Sequence, residues 1–369
     1  MAAPNPTQPS DRLVANQYVV DASRTLTSMG GLATFGVVDQ IGGRTDLMAI
    51  QLDRRKPPRP RAFQALMAPI ENLLTPLAHG PVGDACYAIC PTPAAANLLS
   101  HARPWPEGEL LECVLRPAAR MLEQLQARGM THRGIRPDNV FQGAPGQQVV
   151  FGPCWAAPPA MAQPALFEPP YSAMCLPAGR GDGTIADDVY ALGVLLLCLA
   201  LGRAPLAELD DAAILRRKLE RGTYAALAGD QRLPPIIGDL VRGMLAEDPE
   251  HRPTAALLLD PASARGRRVA ARPPRRAQRP IIIAGYEVWD ARSLAFALAR
   301  EPDHGLSAVR GNAVEQWLRR GLADAQLAAR VEELARHRSL DRAPSDGDGD
   351  GELVMRVIAI LDPLAPLCW

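Results

Sequence analysis

Lysine is almost absent from this chain: Lys56 and Lys218 are the whole supply in 369 residues. Any chemistry that needs an ammonium group beside a phosphate must use one of these two or do without. Net charge is missing as well, since 40 basic residues balance 40 acidic ones, so no global field directs the protein toward nucleic acid or an acidic membrane. The longest apolar run, Ala191 to Leu201, falls short of the roughly 20 residues that a membrane span needs. Cysteines 86, 90, 113, 154, 175, 198 and 368 are scattered without ligand spacing, and the histidines are equally dispersed. That pattern excludes a sequence-evident zinc site or disulfide framework and fits free thiols in a reducing cytoplasm. Residues 1–17 carry proline and polar residues without an apolar signal core, and read as a disordered lead. No internal repeat is visible.

What is present is ordinary globular material, 47% hydrophobic and 22% charged, which calls for a sizeable core. Leu110, Leu111, Val114, Leu115, Ala118, Met121, Leu122 and Leu125 recur at helical spacing and stop at Gly129, predicting an amphipathic helix with a glycine cap. Directly after it comes Thr131-His132-Arg133-Gly134-Ile135-Arg136-Pro137-Asp138-Asn139-Val140-Phe141. Downstream, Asp187-Asp188-Val189-Tyr190-Ala191-Leu192-Gly193-Val194 opens an apolar helix that closes at Gly202 and Pro205. Leu245-Ala246-Glu247-Asp248-Pro249-Glu250-His251-Arg252-Pro253-Thr254 follows.

In this order the three segments resemble the protein-kinase catalytic loop H-R-D-L-x-x-x-N, the helix D-V-Y-A-L-G-V and the last kinase signature. The resemblance covers about residues 18–260 and implies an α+β, bilobal, serine/threonine-kinase-like fold with a β-rich N-lobe and a helical C-lobe. It also implies structural roles. Asp188 would accept backbone N–H bonds from the catalytic loop, His132 and Arg133 would pack that loop, and Arg252 would pair with an acidic residue, for which Glu168 is the candidate.

The working parts of that family are another matter, because phosphoryl transfer asks mainly for positioning and charge neutralisation. Gly134 occupies the slot of the catalytic Asp, and a glycine can neither orient a nucleophile nor take its proton. Gln51, in Leu47-Met48-Ala49-Ile50-Gln51-Leu52, occupies the phosphate-binding Lys slot. Lys56 stands beside Pro57 and Pro58, Lys218 lies far away, and an arginine fork is a poor stand-in for a compact ammonium. The metal-binding Asp should fall about a dozen residues after Asn139. Val150 fills that slot if Phe151-Gly152 keeps the family register, and Gly152 fills it if loop length decides. Gly30 and Gly31, in a stretch without clean G-x-G-x-x-G spacing, read as a β-turn that could still approach a phosphate. Glu71 is the candidate for the glutamate of the N-lobe helix.

The chain therefore looks like a pseudokinase, with no catalytic residue and no confident metal ligand. Asp138 and Asn139 could still hold one metal, so ATP with Mg is the one cofactor weighed, with Gly30, Gly31 and Gln51 as further nucleotide contacts. Rescued serine/threonine kinase activity or nucleotidyl transfer is the enzymatic alternative. The leading expectation is a non-catalytic scaffold or allosteric signalling module with protein partners, such as a signalling enzyme. Arginine-heavy, lysine-poor usage hints at a GC-rich bacterial genome.

Past residue 260 the sequence turns to Arg, Pro and Ala. Residues 261–280 read as a semi-extended tether, and without interleaved aromatics they do not suggest a nucleic-acid arm. Residues 281–337 show short helical patterns around Leu294, Leu298, Val314, Trp317, Leu318, Leu327, Val331 and Leu334, predicting a small all-α domain with Trp317 as core anchor. That domain could itself be the adaptor. Residues 338–352 read as an acidic Asp/Gly linker; they imitate half of an EF-hand loop, but Val357 stands where the bidentate Glu belongs. Residues 353–369 turn apolar again and need a surface to pack on, either this domain or another chain.

Overall fold

The computed structural model describes residues 13–53, 56–100, 103–143, 146–266, 275–340 and 348–365. It falls into two compact units: Met1–Glu168 with Pro177–Ala207 and Gln231–Val269, and Pro169–Leu176 with Glu208–Asp230 and Ala270–Trp369.

The first unit opens with β1 (Leu13–Val14), β2 (Tyr18–Met29), β3 (Leu32–Asp39), β4 (Leu47–Leu52), β5 (Ala78–Val82) and β6 (Ala85–Pro91). All pairings are antiparallel, in the order β1-β2-β3-β4-β6-β5. A two-residue turn joins β2 to β3, with Met29 opposite Leu32 and both intervening residues at positive φ, Gly30 at 57° and Gly31 at 86°. Two positive angles in succession match the right-handed twist of a hairpin, which is why two glycines stand there. Strand β4 lies between β3 and β6, and by alternation Leu47, Ala49 and Gln51 share one face. Leu47 and Ala49 join Val14, Val37, Tyr87 and Ile89 in an apolar cluster. Among the described residues between β4 and β5 there is one short helix, Pro60–Ala65, and Glu71 lies outside it, exposed.

The helical part of this unit is built on two long elements. Glu107–Glu109, a π-helical stretch at Leu110–Leu115 and Arg116–Ala127 run on continuously. Pro117 has no N–H to offer the Cys113 carbonyl, which accepts Val149 N instead at 2.9 Å. A missing helical bond thus anchors the approach to the hairpin of β7 (Val140–Phe141) and β8 (Val150–Phe151). Gly129, at φ 66°, ends the helix as its sequence predicts. The second element, Ile185–Leu201, is buried almost throughout and closes at Gly202 in the left-handed region. Gly193 lets the Pro235–Met244 helix come close, since a Cβ there would lie 2.9 Å from the Met244 Cβ.

The second unit holds the Asp211–Arg221 and Thr223–Leu227 helices together with the C-terminal elements. The C-terminal part starts with a hairpin of β9 (Ile281–Ile283) and β10 (Tyr286–Val288), an addition to the expected helices. The helices Ala291–Arg300, Pro302–Arg310, Ala313–Arg320 and Ala325–Leu340 follow. Trp317 is buried among Leu294, Leu298, Val314, Leu318 and Val331, and its indole N–H donates to the Arg279 carbonyl at 2.7 Å. A fifth helix, Asp348–Leu361, places Leu353, Val354, Val357, Ile358 and Leu361 in the same core. Residues 348–352, expected as linker, are its first turns, so the EF-hand-like segment is helix from Asp348 onward and not a loop. The apolar stretch from Leu353 has its surface within this chain. The acidic residues 341–347, most of the Arg/Pro stretch at 267–274, residues 1–12 and Cys368 lie outside the described residues; of the lead expected as disordered over 1–17, Leu13–Val14 form β1, paired with β2.

Because Ile358 is 2% exposed within that core, Ile358→Ala should destabilise the second unit by about 2–5 kcal/mol. Chemical denaturation followed by tryptophan fluorescence measures this. A change under about 0.5 kcal/mol would show that the last helix is not part of the core.

Candidate functional site

The segment from Thr131 to Arg136 is irregular backbone, a 3-10 turn follows at Pro137–Asn139, and the whole is almost entirely buried, so its polar groups need partners inside the protein. Asp188 supplies two. Its carboxylate oxygens accept the backbone N–H groups of His132 and Arg133, each at 2.7 Å. Arg133 sits at φ 55°, and its side chain is held by Glu168 at 3.0 Å and Asp187 at 3.9 Å. Arg252 pairs with Asp187 at 3.4 Å and bonds the carbonyls of Ala246 and Ala186, each at 2.9 Å. Arg133 is thus a partner of Glu168, a contact the sequence did not suggest. Asp187 also caps its own helix, accepting from Thr184 N at 2.8 Å.

His132 is fully enclosed, with Nε2 3.1 Å from the Gly152 carbonyl. A carbonyl only accepts, so Nε2 carries a proton. Burial, helped by the charges of Arg59 and Arg136, pushes its pKa down to about 3. Burial pushes Asp188 the opposite way for the same reason, up to about 6, against the pull of Arg133.

Strand register distinguishes the two residues expected at the slot of the metal-binding Asp, Val150 and Gly152. Val150 pairs with Phe141, two residues beyond Asn139, and is half-buried. Gly152 donates its N–H to the Asn139 carbonyl at 2.7 Å, and a Cβ on it would lie 2.1 Å from Asn139 Oδ1. Of the two candidates, Gly152 is the one beside Asn139, and the Asn139 side chain fills the space where its side chain would start. Asn139 Nδ2 in turn donates to the Gly134 carbonyl at 2.9 Å.

One cavity gathers much of what the sequence singled out. It measures about 30 Å³ and is lined by Gly30, His132, Arg133, Gly134, Arg136 and Asn139, among others. Gln51, Gly31 and Asp138 do not line it. Asp138 is instead paired with Arg136 at 2.8 Å. Among the described residues no cluster of His, Cys, Asp or Glu could hold a metal ion, and no helix is long and apolar enough to cross a membrane.

Two arginines were missed by sequence reasoning, since a lone arginine in a loop has no pattern. Arg136 donates to the Gly30 carbonyl at 2.7 Å and to Gln163 Oε1 at 3.4 Å. Arg59, just before the short helix, donates to the carbonyls of Thr131 at 3.0 Å and Cys154 at 2.8 Å, and to Asp182 at 2.9 Å. The available signals were weak: Arg136 follows Gly134 by two residues, and Arg59 precedes a Pro at a helix start.

No protein-family model matches the chain. Over 160 residues it is 28% identical to the serine/threonine-protein kinase GIN4 of Saccharomyces cerevisiae, a match spanning 42% of this chain and 14% of that protein. The probable serine/threonine-protein kinase KCC4 of the same yeast is 27% identical over 160 residues, spanning 42% and 15%. Each match therefore covers only a small fraction of the yeast protein's length. Among solved structures, Rad53 residues 1–466 in complex with AMP-PNP is similar at a TM-score of 0.55 and 14% identity, covering 67% of this chain and 65% of that one.

The buried pair His132 and Asp188 generates a pH signature. The folded pKa of His132, about 3, lies below its ordinary 6.5, so the unfolded chain binds more protons in that window and stability rises with pH across it. The folded pKa of Asp188, about 6, lies above its ordinary 3.8, so its contribution falls as pH rises from about 4 to 6. The histidine shift is the larger. Relative to wild type, His132→Gln should therefore fare better at pH 4.5 than at pH 7.5 in denaturant midpoint, and an identical gap at both would refute the neutral buried ring.

Proposed function

The chain is a protein-kinase relative with that family's bilobal fold, and on that premise we propose that it is a non-catalytic module, a pseudokinase, acting as a scaffold or allosteric element for a protein partner. The observation that carries this reading is the state of the three charged positions. Gly134 offers no base, Gly152 offers no metal ligand beside Asn139, and Gln51 offers an uncharged amide that does not line the cavity. Each such group contributes orders of magnitude to phosphoryl transfer, and their joint loss leaves that reaction without a route. The interactions that hold the loop, at Asp188, Arg133, Glu168 and Arg252, are meanwhile intact. A fold kept in detail while its chemistry is dropped fits a role in binding.

One observation favours a second reading, a nucleotide-binding or nucleotidyl-transferring kinase fold. Asn139 Oδ1 is buried with no hydrogen-bond partner, and such an atom accepts readily from a ligand or a cation. Against it stands the size of the cavity, room for about two waters. ATP with Mg separates the two readings. A ligand at 100 times its dissociation constant stabilises by about 2.7 kcal/mol, whereas a scaffold shows no thermal shift.

In a solution assay with Mg or Mn, ATP and several protein acceptors, the wild-type chain should transfer no phosphate above a no-protein control. Gly134→Asp should remain inactive, because restoring the base leaves the lysine and metal positions empty. Robust transfer by wild type that Asn139→Ala abolishes would sink the proposal.

A further inference from the structure

We propose that Arg59 and Arg136 form a lock between the two lobes of the first unit, holding the Gly30-Gly31 hairpin tip down on the catalytic-loop segment so that the resting cleft is shut to polyphosphate ligands. The two arginines reach across in opposite directions. Arg136, from the helical lobe, donates to the Gly30 carbonyl at 2.7 Å while Asp138 at 2.8 Å and Gln163 at 3.4 Å hold its other nitrogens. Gln163 is itself fixed by a bond from its amide to the Ile135 carbonyl at 3.3 Å. Arg59, from the sheet lobe, reaches Thr131, Cys154 and Asp182. Both arginines are buried, at 7% exposure each, so their bonds to carbonyls are shielded, whereas Asp182 is exposed and its pairing with Arg59 is weakened by solvent.

The consequence is steric. The turn touches the floor of the cleft: a Cβ on Gly30 would lie 3.1 Å from both Arg136 Nη2 and Asn139 Oδ1. A cavity of about 30 Å³ remains between them, enough for about two waters and far too small for a triphosphate. Entry requires the hairpin to lift, and lifting it breaks a charge-assisted hydrogen bond to a buried guanidinium. The lock rests on this geometry and not on the loss of catalysis, so phosphotransfer activity and lock integrity can fail separately.

Hydrogen exchange on the full chain tests it. Losing one bond to a charged group shifts an opening equilibrium by about tenfold or more, so Arg136→Ala should speed exchange of the amides in 26–35 by about that factor. Exchange in β5 and β6 should stay as in wild type. Arg59→Ala should instead speed exchange in 59–66 and 131–134. Arg136→Gln covers the case in which Arg136→Ala fails to fold: it keeps a polar side chain of similar reach but removes the charged fork that donates to the Gly30 carbonyl, and it should speed exchange at 26–35 in the same direction. Wild-type exchange rates at 26–35 in Arg136→Gln, or an equal rise in every segment for each variant that folds, would overturn the lock.

Discussion

The carboxylate of Asp188 accepts two backbone N–H groups of a loop fifty residues earlier in the chain, and the shape of the whole site depends on it. A segment as irregular and as buried as Thr131 to Asn139 cannot satisfy its own backbone. Tied to the start of the Ile185–Leu201 helix at 2.7 Å twice over, it becomes a fixed platform. His132 can then sit neutral under Gly152, Arg133 can occupy its left-handed conformation between Glu168 and Asp187, and Asn139 can bridge Gly134 and Gly152. Charge at the first turn of so apolar a helix is costly to bury. It is offset because the acceptors meet donors that would otherwise be stranded.

On that platform, positive charge has been redirected. A phosphate-handling cleft sets cations and metal-binding carboxylates around a ligand. Here the buried guanidinium groups of Arg59 and Arg136 are turned onto the protein's own carbonyls, and Asp138 is taken up by Arg136. The space left by Gly152 is filled by Asn139. These guanidinium groups bridge segments far apart in the sequence. In the second unit the C-terminal helices share a single apolar core completed by the last helix, Asp348–Leu361.

Much of this was legible in the residues. Helical spacing located the Arg116–Ala127 and Ile185–Leu201 helices, glycines marked their ends at Gly129 and Gly202, and the paired glycines at 30 and 31 marked a turn. Asp188 was legible because an acid at the head of an apolar helix needs a reason. The helix at 348–361 was not legible at its start, because Asp and Gly in alternation favour a loop and only the apolar face from Leu353 outvotes them through burial. Propensity is local, and burial is not.

The sequence by itself determined which residues stand at the kinase-like positions: Gly134 in the slot of the base, Gln51 in that of the lysine, and no carboxylate at 150 or 152. Tertiary structure alone decided what the remaining charges do. Register placed Gly152 and not Val150 beside Asn139, since Val150 pairs with Phe141, two residues further on, while Gly152 N–H bonds the Asn139 carbonyl. Folding likewise set Arg136 against Gly30 and Arg59 against Thr131, contacts spanning 106 and 72 residues. No local pattern encodes them, because a guanidinium's partner is chosen by what the folded chain leaves within its reach.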